Sequence, residues 1–174
     1  MHAKPALYTL GICLVTATTM VAGTANPSWF EARTTGAAAL IMRGSAVFGP
    51  VADANAPGRF VLTLGAESPT GAVVFTRPAV SRPEPGIYRL ADDAPGAVRA
   101  LVVTGSPTRP TGAFRARNGT LTISTSREDF IAGSFEIDAV GYEAAEPADE
   151  SRPLRVRGTF TATPSGARSD FSNQ

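Results

Sequence analysis

From Ala37 onward the chain runs in short stretches rich in Val, Phe, Thr and Ile, cut at intervals of about 8 to 15 residues by Gly and Pro clusters. β-Branched and aromatic residues fit a pleated surface, while Gly and Pro supply the turns that join such segments. No long stretch carries the 3.6-residue apolar periodicity of an amphipathic helix. The fold class expected is therefore all-β, a single antiparallel β-sandwich or flattened β-barrel of about eight to ten strands. Nine strands are read, at Ala39–Phe48, Arg59–Gly65, Ala72–Arg77, Ile87–Leu90, Val98–Gly105, Ala113–Arg117, Thr120–Thr125, Phe130–Val140 and Leu154–Thr163.

Two local patterns refine this reading. Asn118-Gly119 has the residue types of a type I′ turn, and pairing Ala116 with Leu121 and Phe114 with Ile123 puts apolar residues on one face and Arg and Thr on the other. A tight hairpin is expected there, which also accounts for the sequon Asn118-Gly119-Thr120. Ser28-Trp29-Phe30-Glu31 has the form of a capping box, so a turn or two of helix is expected over Trp29–Thr35, stopped by Gly36, within a lead-in spanning residues 26–38.

Glycine recurs in one phase at Met42-Arg43-Gly44-Ser45, Ile131-Ala132-Gly133-Ser134 and Val156-Arg157-Gly158-Thr159. Glycine inside a strand marks a bend, a bulge or a close approach, so neighbouring strands that bend together are expected, with the last strand brought beside the first. The segments Gly86-Ile87-Tyr88-Arg89-Leu90, Gly119-Thr120-Leu121-Thr122-Ile123, Gly133-Ser134-Phe135 and Gly158-Thr159-Phe160 resemble a group of uncharacterised exported bacterial all-β proteins. These share G-x-Y-x-L, G-T-L-T-I and G-[ST]-F strands. The resemblance covers about half of residues 26–174 and implies an all-β fold with no activity attached.

The first 25 residues read as a secretory signal. His2 and Lys4 precede the apolar run Ala6–Val15, threonines then dilute it, and Gly23-Thr24-Ala25 suits cleavage after Ala25. The run is short for a membrane span. Ile12 before Cys13 does not suit lipoprotein processing. Residues 26–174 then form one exported domain, periplasmic or secreted, ending in a flexible tail over 165–174, with no membrane span left after cleavage.

Export and composition restrict the chemistry. His2, Lys4 and Cys13 are the only His, Lys and Cys of the chain, so nothing after the leader can supply a Ser-His-Asp triad, a thiol nucleophile, a histidine-held metal, a disulfide or a Schiff base. No cofactor is expected. With the leader removed, arginine balances the 15 Asp and Glu, and no basic block is present to displace counterions from a nucleic acid.

What remains is carboxylate, hydroxyl, Arg and aromatic chemistry. Glu136 and Asp138 share one face of a strand and are the candidates for an acid/base pair in a carboxylate-based glycan hydrolase; the plainer reading is a solvated outer face. Arg115 and Arg117, with Arg155 and Arg157, form candidate stripes for an anionic glycan or partner, or else pair with Glu136 and Asp138. Trp29, Phe30 and Tyr88 are candidate stacking platforms, whereas Phe48, Phe60, Phe75, Phe114, Phe135 and Phe160 read as core. Glu143, Glu146, Asp149 and Glu150 crowd one loop and are candidate Ca²⁺ ligands, though without EF-hand spacing. The function expected is a non-catalytic binding or structural module for a protein, glycan or small-molecule partner. A carrier with an apolar cavity in a closed barrel is the alternative beside the hydrolase.

Overall fold

The computed structural model describes residues 27–53, 56–67, 70–91, 96–106, 109–143 and 151–166. The leader over 1–25, Glu146, Asp149 and Glu150 of the candidate Ca²⁺ loop, the side chain of Glu143 and most of the tail lie outside these residues.

Nine strands follow in chain order: β1 (Trp29–Gly36), β2 (Ile41–Asp53), β3 (Ala56–Glu67), β4 (Thr70–Arg77), β5 (Gly86–Arg89), β6 (Arg99–Ser106), β7 (Arg109–Ser126), β8 (Ile131–Glu143) and β9 (Arg152–Pro164). Their hydrogen-bonded order is β5-β7-β6-β4-β3-β2-β1-β9-β8, and β8 pairs back onto β7. Eight strands thus close an antiparallel barrel, and β5 is an extra strand laid against the second half of β7. Closure satisfies the backbone groups that an open sheet would leave at its two edges.

The apolar half of each alternating strand points inward. Phe30 and Ala32 of β1, Leu62 and Leu64 of β3, Val73 and Phe75 of β4, Ile137 and Ala139 of β8, and Val156 and Phe160 of β9 are all buried. Phe135 sits between Phe75 and Phe160, with ring centroids 5.3 and 6.4 Å away. The six phenylalanines expected in the core are all there. Full burial of such a side chain contributes about 1.5–3 kcal/mol.

Both barrel ends are stoppered by local chain. At one, Pro83 is buried among Phe60, Phe75 and Tyr88, leaving a cavity of only about 10 Å³. At the other, Ala37, Ala38 and Leu40 pack on the core, and the buried Thr34 hydroxyl donates to the Ala38 carbonyl (2.6 Å) and accepts from the Leu40 amide (2.9 Å).

Two expectations are corrected. Residues 29–36 form strand β1 and no helix; the Ser28 hydroxyl that suggested a helix cap instead exchanges hydrogen bonds with the carbonyl and amide of Ala46 on β2. Alternation of buried Phe30, Ala32 and Thr34 gives β1 an inner face worth more than a helical turn, and Phe30, read as a platform, is 2 % exposed. Asn118-Gly119 makes no hairpin. Residues 109–126 run on as one strand against β8, with Asn118 opposite Asp138, Gly119 opposite Ile137, and register shifts at Ala116/Asn118 and Ile123/Thr125. Gly119 does take a positive φ, of 137°, but within the continuing strand, two residues past the bulged Arg117.

Of the three in-phase glycines, Gly133 and Gly158 lie on adjacent strands, and Gly44 on β2 is separated from them by β1. Gly44 faces Phe30, Gly133 faces Phe160, and Gly158 faces both Phe135 and Ala32. The expected meeting of first and last strands is a short parallel one, Val47 and Phe48 of β2 with Thr163 and Pro164 of β9, because β1 separates them elsewhere.

Candidate functional site

Since apolar side chains fill the barrel, the polar half of the alternation lines its outer wall. On β1 the outward positions are Trp29, Glu31, Arg33 and Thr35. Register sets β9 beside it with Thr161, Thr159, Arg157 and Arg155 at those same levels. Strand β8 continues the rows with Ser134 beside Thr159, Glu136 beside Arg157 and Asp138 beside Arg155, and β7 adds Thr122 and Thr120.

Along the strands, tall and short side chains alternate between rows. One row consists of hydroxyls, Thr122-Ser134-Thr159, ending on Glu31; the next is Thr120-Glu136-Arg157-Arg33. A recess of about 650 Å³ opens here, with Ser134, Thr159 and Thr120 at its floor, Glu136, Arg157, Arg33 and Glu31 around it, and Trp29 at one end. Trp29 is 42 % exposed.

Ion pairs hold most of its charged groups in place. Arg157 donates from Nε (3.0 Å) and Nη2 (2.7 Å) to Glu136 Oε1, and Arg155 Nη2 reaches the same oxygen at 3.0 Å. Arg155 Nε also meets Asp138 Oδ1 at 3.1 Å, and Arg43 Nε meets Glu31 Oε2 at 3.0 Å. The hydrogen bond from Arg157, joined by the nearby charges of Arg157 and Arg155 and only partly offset by desolvation, holds the Glu136 carboxyl below the ordinary carboxylate range. A general acid for glycoside cleavage needs the opposite shift. Glu136 is thus suited to anchoring arginines.

Of the residues singled out from the sequence, Trp29 and Arg157 come together in this recess, with Arg155 at its margin. The pairing of Arg155 and Arg157 with Glu136 and Asp138 is as expected. Arg115 is farther along β7, opposite Val140, and Arg117 occupies the bulge; neither has an ion pair among the described residues. Tyr88 belongs to the stoppered barrel end: its hydroxyl donates to the Glu84 carbonyl (2.7 Å) and the Arg77 guanidinium lies 5.9 Å from its ring centroid. Among the described residues no three acidic or other metal-binding side chains cluster closely enough to hold a metal ion.

Glu31, Arg33, Ser134, Thr159 and Thr120 were missed. The strand character of 29–36 was the available signal: read with period two, Trp29, Glu31 and Arg33 share a face. Fold and recess together define a filled antiparallel β-barrel with a polar hollow on its outer wall. No protein-family model, curated protein or solved structure matches the chain.

Proposed function

We propose that this chain is an exported, non-catalytic binding module that takes a saccharide in the recess on its outer wall. The observation that carries the reading is the combination in one hollow of an exposed indole, a hydroxyl floor and ion-paired, oriented Arg and Glu side chains. Sugars present an apolar C–H face that stacks on an aromatic ring and hydroxyls that both donate and accept, so they match such a surface. Arginines fixed by carboxylates lose little further side-chain entropy on binding, which favours affinity. Export rests on the leader-like residues 1–25.

The alternatives have less support. An apolar carrier needs an internal cavity of hundreds of Å³, whereas the interior space found here is about the size of one water. Hydrolysis by Glu136 and Asp138 is disfavoured by their ion pairs.

Trp29 is the chain's single tryptophan, so its emission reports on the recess without labelling. Titration of the purified protein with neutral and acidic oligosaccharides is expected to shift that emission saturably, and Thr159→Leu, which fills the floor, is expected to abolish the shift. A panel that leaves the emission unchanged would sink this reading.

A further inference from the structure

Resting on the saccharide reading, we infer that the recess is built for an oligosaccharide bearing a single carboxylate at one end, which docks on Arg33 while a neutral ring at the other end stacks on Trp29. The charges on this wall do not balance. Arg43, Arg155 and Arg157 each have a carboxylate partner, and Glu31, Glu136 and Asp138 are taken up by them. Arg33 is exposed and has no ion pair among the described residues.

Its position sharpens the point. In the β1–β9 register Arg33 lies directly opposite Arg157, two cations side by side on one face. The charge of Arg157 is already answered by Glu136, so an anion seated here answers Arg33 and accepts the planar donors of its guanidinium. The second anchor, Trp29, sits four residues back on the same face, about 14 Å away at the rise of a β-strand. That span matches two or three linked sugar rings.

Between the two anchors Glu31 points outward, and the floor of Ser134 and Thr159 is uncharged. A carboxylate over Glu31 is repelled, whereas sugar hydroxyls there can donate to it. The ligand class that satisfies all three positions has its acid at the Arg33 end and neutral rings over Glu31 and Trp29. A polyanion fits poorly.

The test is a set of matched Trp29-emission titrations of the purified protein: sialyllactose against lactose, and the glucuronic acid derivative of xylobiose against xylotriose, with a galacturonic acid trimer as the polyanion. In at least one pair the mono-acid is expected to bind about tenfold or more tightly than its neutral counterpart, as charge-assisted hydrogen bonds warrant. That advantage is expected to shrink in high salt and to vanish in Arg33→Gln, while Arg99→Gln on β6 leaves it unchanged. The galacturonate trimer is expected to bind less tightly than the mono-acid. Equal binding of acid and neutral members in both pairs, an advantage that survives Arg33→Gln, or a trimer that binds tightest overturns the inference and leaves the saccharide reading standing. If no sugar moves the emission, both fail.

Discussion

Gly158 lies in the inward phase of β9, and the space where its side chain would be is taken. A Cβ there would come within 2.6 Å of Phe135 Cζ and 2.9 Å of Ala32 Cβ, and would press on the Glu31 carbonyl. Gly158→Ala is therefore expected to cost about 1–3 kcal/mol in chemical denaturation, an overpacking penalty. Combined with Phe135→Leu the two losses are expected to be less than additive; strict additivity in that double-mutant cycle would show that the ring is not what fills the space. Glu136 belongs to the same scale. Its folded pKa is lowered, so its ion pairs stabilise the protein above the unfolded carboxylate value, and this contribution fades as pH falls through the lower folded value. Wild type is expected to melt above Glu136→Gln at about pH 7, with the gap narrowing as the solution is acidified. An unchanged gap in acid would contradict the ion-pair assignment.

At the scale of the element, β7 is the instructive case. Its inward residues are even-numbered before the bulge, Phe114 and Ala116, and odd-numbered after it, Leu121 and Ile123. A two-residue hairpin at 118–119 reverses the chain and brings Ala116 beside Leu121; a one-residue bulge lets the chain continue and also flips the parity. Both produce the same written pattern of apolar residues. Only the partner distinguishes them, and β8 offers partners to both halves: Gly141 to Phe114 and Phe135 to Leu121. NMR is expected to give cross-strand contacts from Leu121 to Phe135 and none from Leu121 to Ala116. Gly119→Ala, forced into a positive φ against the Glu136 carbonyl, is expected to cost about 1–3 kcal/mol. A neutral result would mean that the bulge can relax. The opposite confusion occurred at β1, where a capping-box spacing spanned residues whose period-two burial, Phe30, Ala32 and Thr34, is that of a strand.

For the molecule as a whole, what matters is that the barrel is full. Phe114 and Val102 are wholly buried and Phe135 nearly so, while the end loops supply Pro83 and Leu40 as stoppers. Phe114→Ala is expected to lose about 3–5 kcal/mol, the cost of a large cavity in a core that cannot collapse around it. The wild-type protein is expected to leave an apolar fluorescent dye dark, and the variant, if its cavity stays open, to light it. Dye bound tightly inside the wild type would revive the carrier reading. A filled interior also leaves the outward half of each strand as the side chains that can meet a ligand.

The alternation of apolar and polar residues and the six core phenylalanines were legible in the sequence because they are local: each depends on neighbours within a few residues. All-β class, the boundaries of most strands and the pairing of Arg155 and Arg157 with Glu136 and Asp138 follow from them. Closure of the barrel, the fusion of two expected strands into β7, and the meeting of Trp29, Arg33, Arg157 and Thr159 in one recess were decided by tertiary pairing. Cross-strand register is a relation between residues more than a hundred positions apart, as between Arg33 and Arg157, and no spacing along the chain encodes it.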